Sequence, residues 1–195
     1  MTAGEVDMGD YKRAVDFVAW AKEAYPAKRY MLILWDHGTG WLDPRQTKKA
    51  PADKGISFDD ETGNYIRTPQ ICRILKEAGK VDVLAFDACL MQTAEAAYEV
   101  KDYTEVIVGS QEVVPGFGYP YGLFLEVMAR HPDLTTEETG AVMVEAFKVF
   151  YDAVGKSAQL SAIRSSPRVY QTLFHRCLEP DFRILSDGFN VEAAK

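Results

Sequence analysis

The sequence predicts an α/β protein with a mostly parallel sheet that is covered by helices on both faces. Short apolar runs with the length of buried strands alternate along the chain with segments of helical periodicity. The 195 residues suit one domain with a full hydrophobic core, and the chain shows no internal repeat or low-complexity segment. We therefore expect a single domain.

The predicted elements follow from apolar spacing and from residues that start or stop helices. In the first half of the chain they are a helix over 10–25, a strand over 30–35, a short hairpin of 55–58 with 65–66, a helix over 68–78 and a strand over 81–86. In the second half they are a helix over 91–101, a strand over 105–109, a helix that ends near Pro132, a helix over 135–154, a strand over 158–163 and a helix from 166 onwards. Asp10 is expected to cap the first helix, Thr68 the second, and Thr135 with Glu138 to form a capping box.

Composition excludes several classes of protein. The net charge of −7 argues against binding to nucleic acids or to anionic membranes, because both favour a basic surface. No apolar run reaches the length of a membrane span. The cysteines Cys72, Cys89 and Cys177 do not form the closely spaced pairs of a structural zinc site or of a disulfide framework.

Reactive side chains follow two of the predicted strands. His37 and Gly38 come directly after the strand over 30–35, and Cys89 follows the strand over 81–86. Functional groups of open α/β sheets lie just beyond the carboxyl ends of parallel strands, so His37 and Cys89 are expected to meet. Each motif alone is more often a turn or a core residue, but the pair predicts a Cys–His hydrolase.

The chemistry of acyl transfer gives each residue a role. A cysteine attacks as a thiolate, and a helix that begins just after Cys89 is expected to favour that form. His37 is the candidate general acid, and the N–H groups of Gly38 and Cys89 are the candidate oxyanion hole. Asp87 points to the same side of its strand as Cys89, and its carboxylate suits recognition of a basic substrate side chain.

Two segments carry a resemblance to a known family. DHGTGW at residues 36–41 and DACLM at residues 87–91 resemble the signature motifs of the clostripain family of cysteine peptidases, and the likeness extends to residues 6–10, 110–121 and 160–163. The resemblance implies a caspase-like three-layer α/β/α sandwich with a catalytic dyad of His37 and Cys89. It also implies Gly38 and Cys89 in the oxyanion hole, polypeptide substrates cleaved after Arg or Lys, no obligatory cofactor, and secretion by bacteria.

The resemblance also assigns a specificity pocket. It implies that Asp87 lies in the pocket for the residue before the cleaved bond, with the loop over 110–121 beside it. Ser110, Gln111 and Glu112 are therefore candidate substrate-binding residues. Relatives that cleave after basic residues are expected to carry a second acid in this loop, but here Phe117 stands between its glycines and Glu112 is the nearest acid.

Two further features are tied to the family. Some relatives cut their own chain between the His and Cys motifs, and the basic connection here suggests the Lys49–Ala50 bond, although a solvated basic loop is the alternative. Some relatives also use Ca²⁺, and the acidic cluster over 59–61 is a candidate site, although it lacks the spacing of an EF-hand and a solvated acidic turn is favoured.

The family domain normally begins earlier and continues further than this sequence, so residues 1–195 are expected to be part of a catalytic domain. A catalytically inactive pseudo-protease or binding domain is therefore the main alternative. A nucleotide- or phosphate-binding domain is a weaker one, because no glycine-rich phosphate loop follows a strand.

Overall fold

The computed structural model describes residues 6–42 and 55–165 of the chain. Helices and strands alternate in these residues as the sequence predicts. The elements are α1 (Tyr11–Ala24), β1 (Met31–Trp35), α2 (Thr68–Ala78), β2 (Val83–Asp87), α3 (Ala94–Val100), β3 (Val106–Gly109), α4 (Tyr121–Arg130), α5 (Thr136–Ala153) and β4 (Ser161–Arg164). The helix predicted from residue 166 onwards lies outside the described residues.

The strands form one sheet in the order β1-β2-β3-β4. The pairs β1–β2 and β2–β3 are parallel, whereas β4 runs antiparallel to β3. Two consecutive helices, α4 and α5, separate β3 from β4 and return the chain to the carboxyl end of β3, where Gly109 pairs with Ser161. The prediction of a mostly parallel sheet is confirmed, with an antiparallel strand at one edge.

Strand alternation divides the core into two halves. One face of the sheet packs against α1, α2 and α3, and the strands supply Leu32, Leu34, Leu84, Phe86 and Ile107 to it. The other face packs against α4 and α5, and the strands supply Val83, Ala85, Val106 and Val108 to it. Because successive side chains of a strand point to opposite faces, strands covered on both sides are apolar throughout, and the three-layer arrangement is confirmed.

Most of the predicted helix ends are confirmed. The Asp10 side chain accepts a hydrogen bond from the N–H of Lys12, and Thr135 and Glu138 form the predicted capping box of α5. The cap predicted at Thr68 is wrong, because α2 already includes this residue. The Thr68 hydroxyl instead donates to the carbonyl oxygen of Gly40 at 2.6 Å, which ties α2 to the His37 motif.

The connection between β1 and α2 returns to the sheet. The predicted hairpin is present as a single antiparallel bridge, in which the N–H of Ile66 donates to the carbonyl oxygen of Ile56 at 2.7 Å. Ile56 also bridges Asp36, the residue directly after β1. The end of this connection is therefore anchored at the carboxyl end of the first strand. No helix in the described residues is long and apolar enough to span a membrane.

Candidate active site

The register of β1 and β2 brings the two motifs to the same place. Trp35 pairs with Asp87, and the same offset of 52 residues separates His37 from Cys89. The N–H of Asp36 still donates to the carbonyl oxygen of Asp87 at 3.3 Å, so the two chains remain adjacent beyond the last strand pair. Parallel pairing thus places the histidine and cysteine motifs together beyond the carboxyl ends of β1 and β2, as the sequence predicted.

Gly38 and Cys89 lie in direct contact. A Cβ atom on residue 38 would lie 2.2 Å from the backbone oxygen of Cys89 and about 3 Å from the side chains of Met91 and Ala88. Any side chain at residue 38 would therefore force the two backbones apart. A glycine is needed here for close approach rather than for its conformational freedom, and this contact joins the two candidate oxyanion donors.

Cys89 is partly buried and interacts with the loop that follows β3. Its Sγ accepts a hydrogen bond from the N–H of Val114 at 3.3 Å and lies 3.8 Å from the carbonyl oxygen of Val114. The N–H of Leu90 donates to the carbonyl oxygen of Glu112 at 3.2 Å, so this loop runs alongside the cysteine motif. Neither of these contacts could be predicted from the cysteine motif, because both use backbone atoms of a segment that is distant in sequence.

The predicted effect of a helix dipole on Cys89 is wrong. Helix α3 begins at Ala94 with Thr93 as its N-cap, four residues after Cys89. Leu90 adopts a left-handed conformation with φ of 63°, so the backbone turns between the end of β2 and the start of α3. The helix dipole acts only near the first turn, so Cys89 lies beyond its reach. The donor that contacts the sulfur is the N–H of Val114.

His37 is exposed, and its side chain lies near that of Asp36. Its Nε2 lies 3.9 Å from the Oδ1 of Asp36, and 59% of its side-chain surface is exposed. The Oδ2 of Asp36 accepts a hydrogen bond from the N–H of Phe58 at 2.6 Å. Asp36 has φ of 133°, which is rare for a residue other than glycine, and such strain is concentrated at functional sites.

Asp87 is buried, with 3% of its surface exposed. Its Oδ2 accepts hydrogen bonds from the N–H of Tyr119 at 3.1 Å and from the hydroxyl of Tyr121 at 2.9 Å. Burial raises the pKa of the Asp87 carboxyl above its ordinary value, although these two hydrogen bonds lower it. Both tyrosines belong to the loop over 110–121, but residue spacing does not indicate that they donate to Asp87.

Hydrogen bonds from tyrosine hydroxyl groups fix the loop that covers Asp87. The Tyr119 hydroxyl donates to the carbonyl oxygen of Phe86 at 2.8 Å, and the Tyr151 hydroxyl lies 3.1 Å from the carbonyl oxygens of both Pro115 and Gly118. Gly118 has φ of 63°, and a Cβ there would lie 2.9 Å from the Oδ2 of Asp87. Glycine is therefore required where the backbone turns against the carboxylate.

The three candidate substrate-binding residues at the start of this loop differ in exposure. Ser110 is fully buried, and its hydroxyl donates to the carbonyl oxygen of Glu112 at 2.9 Å and accepts from the N–H of Glu112 at 3.0 Å. The Ser110 side chain therefore shapes the turn, and its role in substrate binding stays a prediction. Gln111 and Glu112 are exposed at the rim of the candidate site.

The acidic cluster has a structural role in the described residues. Asp59 accepts hydrogen bonds from the N–H groups of Glu61, Thr62 and Met8, and these hold its pKa below the ordinary value. No group of three or more His, Cys, Asp or Glu side chains in the described ranges is arranged to hold a metal ion. The calcium site stays a prediction.

The remaining candidates lie elsewhere or outside the described residues. Cys72 is partly buried in α2, and burial raises the pKa of its thiol, as expected for an unreactive cysteine. The candidate cleavage bond Lys49–Ala50 and the residue Cys177 lie outside the residues that the structure describes.

The chain resembles known proteins over most of its length. The clostripain family model matches residues 1–170. Clostripain from Hathewaya histolytica is 34% identical over an alignment of 128 residues, and the match covers 60% of this chain and 24% of that protein.

Two solved structures share the fold. One is a secreted C11 cysteine protease from Bacteroides thetaiotaomicron in complex with an irreversible peptide inhibitor, with a TM-score of 0.69 and 24% identity over 86% of this chain and 48% of that chain. The other is an inactive zymogen C11 protease from Parabacteroides distasonis, with a TM-score of 0.69 and 22% identity over 91% of this chain and 45% of that chain. The chain thus spans about half the length of these structures and about a quarter of the curated relative.

Proposed function

Because the chain belongs to the clostripain family, we propose that it is a cysteine endopeptidase that uses Cys89 and His37 to hydrolyse peptide bonds after Lys or Arg. The contact between Gly38 and the backbone of Cys89 carries this proposal. It joins the histidine motif to the cysteine motif at the carboxyl ends of two paired strands, where α/β proteins bind ligands.

The proposed reaction has two steps. The Cys89 thiolate attacks the carbonyl carbon of the scissile bond, and the N–H groups of Gly38 and Cys89 stabilise the developing oxyanion. The C–N bond breaks as His37 donates a proton to the leaving amine, which leaves an acyl-enzyme. Water, deprotonated by His37, then attacks the thioester, the C–S bond breaks, and the acid product and the Cys89 thiolate are released beside the protonated His37.

The surroundings of Asp87 support a basic residue before the cleaved bond. No Lys, Arg or His side chain in the described residues forms an ion pair with this buried carboxylate, and its hydrogen bonds there come from the uncharged donors of Tyr119 and Tyr121. A buried charge without a counter-ion is unfavourable, so a cationic substrate side chain would supply the missing partner. Glu112 is an exposed acid whose carbonyl oxygen accepts from the N–H of Leu90, so it adds a negative charge to the loop beside the cysteine motif.

The structure holds the site in a covered state. Val114 contacts the Cys89 sulfur, and Gly118 lies against Asp87. Substrate binding therefore requires part of the loop over 110–121 to move. Gly116, next to this contact, has no neighbouring atom near its missing Cβ, so that side of the loop is open.

Autoproteolysis between the two motifs is part of the proposal. The segment between Leu42 and Gly55 links the His37 strand to the anchored bridge at Ile56, and it contains the Lys49–Ala50 bond. Purified wild-type chain is expected to be cut there, whereas Cys89→Ala stays intact. Intact-mass measurement of both after incubation checks this, and equal cutting of the two would rule it out.

Location is proposed from the family alone. One relative of known structure is described as secreted. We infer a secreted or cell-envelope location for this chain in a bacterium. Immunodetection of the protein in the medium or the envelope fraction of fractionated cells would support this location. Its confinement to the cytosolic fraction would contradict it.

A substrate panel tests the function directly. We expect fluorogenic peptides with Lys or Arg before the scissile bond to be cleaved at least about tenfold more efficiently than the matched Gln peptide, because Asp87 lacks a cationic partner among the described residues. Cys89→Ala is expected to lower kcat by about 10⁴-fold or more. Cys72→Ala, which removes a thiol on α2 outside both motifs, is the matched control and should retain wild-type turnover. Turnover that survives in Cys89→Ala would exclude this nucleophile.

A further inference from the structure

Tyr121 places a hydroxyl on the carboxylate that is proposed to bind the basic side chain of the substrate. Its oxygen lies 2.9 Å from the Oδ2 of Asp87, and it is the first residue of α4. It is 37% exposed, whereas its neighbour Tyr119 is 4% exposed. Tyr121 is therefore the donor on Asp87 that borders solvent, and the Tyr119 N–H is the fixed backbone donor.

Among the described residues, the two donors occupy the acceptor positions of one carboxylate oxygen and leave the other oxygen without a hydrogen bond. An ionised carboxylate offers about four lone-pair positions, two on each oxygen. The Tyr119 N–H and the Tyr121 hydroxyl both donate to Oδ2. In the described part of the chain no hydrogen bond reaches Oδ1, so the open positions of Asp87 lie on a single oxygen.

This asymmetry affects Lys and Arg differently. A Lys ammonium group is a compact point charge that can donate to one oxygen alone. An Arg guanidinium binds a carboxylate most strongly when its planar fork donates to both oxygens at once. With Oδ2 occupied, the fork loses its second acceptor while the ammonium group loses nothing.

We propose that Tyr121 is a specificity-determining residue, whose hydroxyl on Asp87 biases the site towards Lys over Arg before the cleaved bond. This inference rests on the proposed function, since it assumes that Asp87 binds the substrate side chain. Phe at residue 121 frees one position on Oδ2 and keeps the ring, which packs against Tyr119 and Phe124 at centroid distances of 6.5 and 5.4 Å.

The test compares two deletions of a hydroxyl group. Tyr121→Phe is expected to raise the ratio of kcat/KM for an Arg peptide to that for the otherwise identical Lys peptide by about tenfold, the range of a charge-assisted hydrogen bond. Tyr119→Phe is the matched control. It removes a hydroxyl from the same cluster that donates to the carbonyl oxygen of Phe86 and never touches Asp87, so the ratio should stay within about twofold.

Each outcome decides between explanations. An unchanged ratio in Tyr121→Phe overturns the inference, and equal shifts in both variants also overturn it, because they would show general loosening of the loop. If neither the wild-type protein nor either variant cleaves the Lys or the Arg peptide, the proposed function fails. The affinities of the uncleaved Lys and Arg peptides for Cys89→Ala, with and without Tyr121→Phe, then decide separately whether Tyr121 discriminates. Absence of any binding overturns both ideas.

Discussion

Among the described residues, burial and charge conflict at Asp87. Its carboxylate is almost fully enclosed by the loop that follows β3, yet two uncharged donors are its partners there. Proteins keep such a group where function requires it, because an apolar or amide side chain would be more stable in the same place. This conflict has a measurable consequence for stability.

Asp87→Asn is expected to stabilise the fold at neutral pH. Burial raises the pKa of the Asp87 carboxyl in the folded state. Its contribution to stability is therefore present below the unfolded pKa, about 4, and is lost as the pH rises through the folded pKa. The asparagine oxygen can still accept from both donors without carrying charge. Thermal unfolding should give a higher Tm for the variant at pH 7 and a smaller difference near pH 4.

Asp133→Asn is the control for this measurement, since Asp133 is an exposed acid. It should change the Tm little at either pH. A lower Tm for Asp87→Asn at pH 7 would contradict the interpretation, because it would mean that the charge is favourable in the folded protein.

The sequence predicts the reacting residues of the site better than their neighbours. His37 and Cys89 follow apolar runs, and strand periodicity alone indicates that such positions share one sheet edge. Val114 could not be predicted, because only its backbone contacts the cysteine. Tyr121 could not be assigned either, since the turn at Gly118 decides which side chain reaches Asp87.

At the scale of elements, α5 packs unusually close to the sheet. A Cβ on Gly140 would lie 2.8 Å from a methyl group of Val106 and 3.2 Å from the Cβ of Ala162. Val106 belongs to β3 and Ala162 to β4, so one glycine sets the distance from α5 to both strands. This contact helps to hold the antiparallel edge strand in place.

The same substitution at two helical glycines should have opposite effects. Gly140→Ala is expected to destabilise the fold by about 1 kcal/mol or more, because overpacking outweighs the gain in helix propensity. Gly122→Ala, where no atom lies within 4 Å of the added Cβ, should stabilise it by about 0.5–1 kcal/mol. Urea unfolding of both variants measures this pair. Stabilisation by Gly140→Ala would show that α5 can move away from the sheet freely.

Element types were predictable where local signals agree with the tertiary structure. The capping box at Thr135 and the stop at Gly79 are local signals, and both are confirmed. The predicted start of α3 at residue 91 was wrong, because Thr93 is extended and caps a helix that begins at Ala94. The direction of β4 was not predicted, since it depends on how α4 and α5 pack together rather than on periodicity.

At the scale of the whole molecule, the three layers position the site by topology. Two parallel strands deliver His37 and Cys89 to one edge, and the loop after the third strand covers both Asp87 and the cysteine sulfur. The net charge of −7 accords with cationic peptide substrates rather than with nucleic acids. We propose that this arrangement makes Cys89, and not another thiol, the nucleophile.

Labelling with a peptidyl ketone that carries Lys next to the reactive group tests that claim most directly. Mapping the adduct by mass spectrometry should show modification of Cys89, with Cys72 and Cys177 unmodified. Labelling should fall sharply in His37→Ala and be outcompeted by a Lys peptide. Equal modification of all three cysteines, or no modification of Cys89, would contradict the account.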